Sequence, residues 1–248
     1  MKYAAWPAWH DEAETGRQVI MGLVAGLEVS WYTDAKYGWE QMWQIRLGLV
    51  SGVAVSQYAS PAYEWLQMEQ IRLGLEAGLD VSQYADEKHS WPQMAQIREG
   101  LLRSVDVSIY ADERYNADQM EELRKGLESG LDVSIYADTK YDWAQMHQIR
   151  IGLEAGLDVS AYADVKYDWR QMDEIRWGLE AGLGVSWYAD EKYDWEQMRE
   201  IGFGLVDGVD VSQYADARYE AAQMWNIRDR LKRRRSNEVQ SLARVGHE

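Results

Sequence analysis

Two columns of aspartates are the first residues in this 248-residue chain whose type and spacing could do chemistry. Asp80, Asp106, Asp132 and Asp158 form one column. Asp86, Asp112, Asp138, Asp164 and Asp190 form the other, and neighbours in each are 26 residues apart. Stacked at the roughly 9–10 Å separation of packed helices, they would make carboxylate ladders, fit for calcium or for mimicry of a phosphate backbone. Calcium loops need several oxygen ligands close together with glycine between them, and no stretch supplies this. The plainer reading makes these aspartates helix caps and turn residues. An arginine column (Arg46, Arg72, Arg98, Arg124, Arg150, Arg176, Arg228) and Lys140, Lys166 and Lys192 would partly neutralise them.

Catalytic constellations are absent from the pattern. His10, His89, His147 and His247 occupy unrelated positions, and none starts an HExxH or a His–carboxylate cluster. A serine column runs from Ser30 to Ser212, too regular to hold one special nucleophile and well suited to capping. The Gly-Leu-x-x-Gly pattern falls late in a helical stretch, not between a strand and a helix N-terminus where it could cradle phosphate. The sequence therefore points to a non-enzyme with no cofactor and no metal.

These residues are positioned by a repeat. The Gln-Met pair recurs at Met42, Met68, Met94, Met120, Met146, Met172, Met198 and Met224, a fixed period of 26 that marks a repeat architecture. Within one unit, Trp143, Met146, Ile149 and Leu153 have the spacing of one helical face. Asp142 followed by Gln145 is a capping-box start, repeated as Asp168/Gln171 and Asp194/Gln197, with Asn116/Gln119 and Ser90/Gln93 as variants. Gly156 and its counterparts Gly52, Gly78, Gly130, Gly182 and Gly208 are the stop. Each unit thus predicts a helix of about three turns. The segment Leu157-Asp-Val-Ser-Ala-Tyr-Ala-Asp164 admits a strand or a one-turn helix capped by Asp158 or Ser160. We favour the helix, because the leucine-rich-repeat signature that a strand would imply is missing. The fold expected is all-α: an α-solenoid of eight full units plus a degenerate leading unit. Residues 1–14 read as an N-terminal cap carrying Trp6 and Trp9, 15–231 as the solenoid, and 232–248 as a basic cap or tail.

Composition narrows the partners. Net charge is −16, yet residues 228–248 carry seven Lys/Arg against three Asp/Glu, which leaves −20 on the body. Such a body favours basic partners over nucleic acid or anionic membrane. The basic run Lys232-Arg233-Arg234-Arg235 reads as a helix-terminal cap, as a segment docking on acidic surface of the same or another copy, or as a nucleic-acid contact. No apolar run reaches 18 residues and the N-terminus lacks a secretory pattern, so no membrane span or export signal is expected. Zero cysteines fit a reducing cytoplasm.

Self-comparison of the units separates framework from surface. A mid-helix glycine recurs from Gly22 to Gly204 at roughly 1 kcal/mol per helix relative to alanine. This implies that a neighbouring backbone or a tyrosine ring comes close. Other columns change freely. The residue after Gln-Met is Trp43, His147, Arg199 or Trp225 in different units; four positions on stand Trp177 and Phe203; the residue before the tyrosine column is Trp31 or Trp187. Columns tolerating Trp, Glu and Ala alike belong on the surface, and these eight residues are the candidate binding set.

The unit Tyr-Asp-Trp-x-Gln-Met-x-x-Ile-Arg-x-Gly-Leu-Glu-Ala-Gly-Leu-Asp-Val-Ser-x-Tyr-Ala-Asp resembles short repeats of uncharacterised gut-bacterial and mobile-element proteins, from about Thr15 to Leu231. Departures are Ser104 for the second glycine, Gly202 for the arginine, and Ala117 and Ala221 for the tryptophan. The resemblance carries no activity over; it adds a counter-defence association. The function expected is a protein-binding scaffold whose partner has a basic or apolar surface. An acidic nucleic-acid mimic inhibiting a defence nuclease is the alternative, and carbohydrate binding by exposed aromatics a weaker one. Self-association through the solenoid ends or the basic tail is a further route to a partner.

Overall fold

In the computed structural model, residues 8–245 are described, with side chains for 10–238. The described chain is helical without strands, and successive helices pack in order within α1 to α5 and within α6 to α9. Its helices are α1 (Ala8–Val24), α2 (Trp39–Ser51), α3 (Trp65–Glu76), α4 (Trp91–Leu102), α5 (Ala117–Glu128), α6 (Trp143–Glu154), α7 (Trp169–Glu180), α8 (Trp195–Asp207) and α9 (Ala221–Val245). A one-turn 3-10 helix follows each of α1 to α8, as at Val159–Ala161. The strand alternative is thereby excluded for these segments. The chain divides into two compact units, Met1–Glu128 and Ser129–Glu248, and each is a helical-repeat solenoid.

Local signals set the boundaries. Asp142 accepts a hydrogen bond from the Gln145 N–H at 2.8 Å, while Gln145 Oε1 accepts from the Asp142 N–H at 2.9 Å. These reciprocal bonds satisfy helix-start donors that would otherwise lack partners. Gly156 closes the same helix at φ 71°, where a side chain is disfavoured. Ser104, the serine in that column, is held at φ 59°. Asp158 caps the 3-10 turn by accepting from the Ser160 N–H at 3.1 Å.

The mid-helix glycine makes room for a tyrosine of its own unit. A Cβ on Gly152 would overlap the Tyr162 hydroxyl and lie 3.2 Å from its Cζ and 3.1 Å from Val159 Cγ1. Tyr162 runs beneath the helix and donates to the Gln148 carbonyl at 3.2 Å. The tyrosines of this column, from Tyr32 to Tyr214, are fully buried.

Three side-chain bonds tie α2 to α3, and the same three tie α6 to α7. Gln41 caps its own helix through Oε1, which accepts from the Gly38 N–H at 2.9 Å. Its Nε2 donates to the Tyr63 carbonyl of the next repeat at 2.7 Å. Arg72 Nε donates back to Gln44 Oε1 at 2.9 Å. Tyr37 Oη donates to the Ala59 carbonyl at 2.8 Å. In the second unit Gln145, Arg176 and Tyr141 do the same toward Tyr167, Gln148 and Ala163.

These contacts correct two expectations. The arginine column does not neutralise the aspartates: Arg46, Arg72, Arg98, Arg124 and Arg176 bond the preceding repeat's Gln, Arg228 bonds Glu200, and Arg72, Arg124, Arg150 and Arg176 also bond a glutamate one turn on. Arginine stands on the helix, whereas the aspartates stand on the turns. The apolar stripe through Trp143 and Leu153 is also not the core, for Trp143 is 51% exposed and Leu153 half-buried. Met146 and Ile149 are fully buried and share the interior with Gln145, Gln148 and Arg150. A solenoid helix lies between two neighbours, so two of its faces are covered, and polar residues are tolerated there because each is bonded.

The ends differ from the repeat. Residues 8–14 of the expected N-terminal cap form part of α1; residues 1–7, with Trp6, and the Trp9 side chain lie outside the described residues. Ile20 stands in the arginine column and is 63% exposed. The basic tail continues α9, with 246–248 outside the described residues. Lys232 Nζ lies 2.6 Å from an Asp207 carboxylate oxygen, and Arg235 donates to the Asp207 carbonyl at 2.5 Å. Cations thus close the C-terminal end of α8, where the helix dipole favours them.

Candidate binding face on helices α7 to α9

The aspartate columns are turn chemistry. Asp80, Asp106, Asp132 and Asp158 accept from the N–H two residues on, as does Asp210, and the Ser82, Ser108, Ser134 and Ser212 hydroxyls add a 2.6 Å bond. Those serine hydroxyl bonds, followed by the backbone bonds, hold Asp80, Asp106 and Asp132 below the usual carboxylate range. Asp86, Asp112, Asp138, Asp164 and Asp190 accept from the N–H of the Lys or Arg two residues later. The Arg114 side chain and then its backbone N–H bring Asp112 down to about 2. Cations of the same turn accompany Asp112, Asp138, Asp164 and Asp190. No group of three or more His, Asp or Glu among the described residues is placed to hold a metal ion.

The variable residues have separate fates. In the first unit Trp31 is exposed on a 3-10 turn and Trp43 is half-buried on α2. In the second, His147 is half-buried on α6 with its Nδ1 3.1 Å from Arg150 Nη2, and Trp187 is 47% exposed on its 3-10 turn. Neither lines the grooves described next.

Trp177, Arg199 and Phe203 come together. They line a groove of about 330 Å³ on α7 and α8 with Asp173, Glu174 and Arg176. Trp177 and Phe203 meet edge to face, ring centres 5.5 Å apart, an arrangement favoured by aromatic quadrupoles. The Arg228 guanidinium lies 5.4 Å from the Phe203 ring centre.

Gly202 makes the cluster possible. Every other described repeat from α2 to α9 places an arginine in its column. The glycine instead leaves space for the Trp177 ring, whose Cζ3 would be 3.0 Å from an added Cβ. With that arginine gone, Glu174, in a column that holds Gln44 and Gln148 but also Glu122 and Glu200, would be a buried carboxylate without its cross-repeat donor. Arg199 supplies the donor from the next turn: Nε is 2.8 Å and Nη2 2.6 Å from Glu174 Oε1. Burial still pushes the Glu174 carboxyl above its ordinary range, with the Arg199 bond opposing it. Arg199 also stacks 4.6 Å from the Trp195 ring centre.

A second groove, about 620 Å³, lies between α8 and α9. It opens where Ala221 replaces the column tryptophan, and Trp195, Arg199 and Trp225 border it. Gly202, Glu174, Trp195 and Ala221 were not among the expected site residues. Their signal was a break in the repeat: Gly202 and Ala221 are departures from it, and the grooves lie at those departures.

Comparison with known proteins returns no match to a family model, a curated protein or a solved structure. No helix among the described residues is long and apolar enough to cross a membrane.

Proposed function

We propose that this chain is a binding scaffold with no catalytic role of its own, and that the face of α7 to α9 around Trp177, Arg199 and Phe203 docks a partner protein. The observation that carries this is the coordinated substitution at one place. Arginine gives way to Gly202 and an aliphatic or charged residue to Trp177, and Arg199 replaces the donor that Glu174 would otherwise take from the arginine column, as Glu200 takes Arg228. Unselected drift would leave a buried carboxylate unpaired, at a cost of several kcal/mol. Here the framework bonds survive while the surface acquires two packed aromatic rings and a guanidinium, the residue types that dominate binding hot spots.

The aspartate ladders support the nucleic-acid mimic less well, because their carboxylates serve their own turns and Asp112, Asp138, Asp164 and Asp190 carry a neighbouring cation. The test is capture of the native partner from the source cells with Trp177→Leu and Phe203→Leu. Leucine stands in the same column at Leu47 and Leu73, so the fold should persist. Loss of roughly tenfold or more in affinity is expected. Undiminished capture by both variants overturns the assignment.

A further inference from the structure

We propose that the groove between α8 and α9 receives lysine or arginine side chains from a basic segment of the partner protein. This rests on the reading of the α7–α9 face as a docking surface and names the chemistry that enters it. Three observations converge. The groove has aromatic walls: Trp225 is 49% exposed, and Trp195 borders the space that a tryptophan at Ala221 would fill. Its rim is acidic, with Asp194, Glu196, Glu200 and Glu220 against Arg199 alone. Two of those charges are already balanced, Glu200 by Arg228 at 2.9 Å and Arg199 by Glu174 at 2.6 Å. Glu196, Glu220 and the cap residue Asp194 remain to meet a cation.

The third observation is what the protein does with similar rings elsewhere. Arg170 lies 4.8 Å from the Trp169 ring centre and Arg199 4.6 Å from that of Trp195. Lys36, Lys166 and Lys192 lie 4.9–5.2 Å from the rings of Tyr37, Tyr167 and Tyr193. Aromatic faces on this acidic chain repeatedly take an internal cation. Trp225 is a large exposed ring set beside carboxylates, and an external cation suits it by the same electrostatics.

The experiment uses the full chain and a synthetic Arg/Lys-rich peptide, with a Glu-rich peptide of equal length as control, read by tryptophan fluorescence and calorimetry. The decisive variant is Ala221→Trp. It restores the column residue, so it should fold, and it fills the groove. The basic peptide is expected to bind with strong salt dependence, and Ala221→Trp and Trp225→Ala should each weaken it about tenfold. Glu196→Gln with Glu220→Gln should weaken it and flatten the salt dependence. Equal binding to Ala221→Trp and to the parent chain would place the peptide elsewhere on the acidic body and overturn the proposal. So would no binding, or equal binding of the Glu-rich peptide. Oligomers of the peptide-free chain that Ala221→Trp dissociates would make a second copy the occupant and also overturn it. If native-partner capture still depends on Trp177 while the peptide result is negative, the docking face stands and only the basic segment fails.

Discussion

Gly152→Ala is the most direct test of how a repeat is held together. On an exposed helix this change would stabilise by about 1 kcal/mol. Here the new Cβ would overlap the Tyr162 hydroxyl and crowd Cζ at 3.2 Å and Val159 Cγ1 at 3.1 Å. Displacing the ring carries an overpacking cost of about 1–3 kcal/mol. It also breaks the 3.2 Å bond to the Gln148 carbonyl within a buried site, worth about 1–3 kcal/mol. Against the propensity gain, the net expectation is a destabilisation of roughly 3 kcal/mol. The companion Tyr162→Phe removes the overlapping oxygen but leaves the Cζ and Val159 Cγ1 contacts, so Gly152→Ala in that background should fall within about 1 kcal/mol of neutral. A double-mutant cycle by urea unfolding, followed by far-UV circular dichroism, should give a coupling of about 2 kcal/mol or more. If Gly152→Ala alone raises the unfolding midpoint, the tyrosine does not occupy the space beneath the glycine and the reasoning fails.

Burial raises the hydroxyl pKa of Tyr58, Tyr84, Tyr110, Tyr162, Tyr188 and Tyr214 above their unfolded value near 10. The fold then holds protons that the unfolded chain would release, so this stability is complete below about pH 10 and declines as pH climbs beyond it. Helical signal and tyrosinate absorbance should change together in an alkaline titration; tyrosines ionising while the helix signal stays intact would contradict this. His89 occupies the column of Tyr63, which donates to the Ala85 carbonyl at 2.8 Å, yet both buried His89 ring nitrogens lack a hydrogen-bond partner. His89→Tyr should reach the Ala111 carbonyl and add about 1 kcal/mol, read as a higher melting temperature. Trp177→Ile with Gly202→Arg restores the repeat's own letters. It should gain about 1–2 kcal/mol in urea while abolishing partner capture, because helix propensity returns and Glu174 gains a second donor beside Arg199 as the aromatic pair is lost. Retained capture would detach binding from this cluster.

The fold was legible because its signals are local and repeat. Asp142 and Gln145 lie three residues apart, Gly156 acts through its own backbone angles, and Asp158 caps the turn beside it. The recurrent mid-helix glycine announced a close approach, though not that a tyrosine of the same unit makes it. The Gln of the Gln-Met pair was legible only as a cap, since its other bond goes to a carbonyl 22 residues away. The arginine column was assigned the wrong partner for the same reason: its acceptor lies 28 residues earlier. Trp143 shares its helical face with Met146 and Ile149 yet is exposed while they are buried, because period alone cannot say which helical faces a neighbour covers.

For the candidate site, the sequence singled out Trp177, Arg199, Phe203 and Trp225 through their failure to repeat, and it marked Gly202 and Ala221 as departures. That these belong together needed the stack. Trp177 and Phe203 stand 26 residues apart, and their rings meet only because α7 and α8 pack side by side and Gly202 leaves room. By itself the sequence determined the element, its ends and the repeat, since hydrogen bonds within a few residues and backbone angles fix these. The tertiary structure decided which polar residues are interior and which odd letters form a surface, because both depend on side chains reaching a neighbouring repeat.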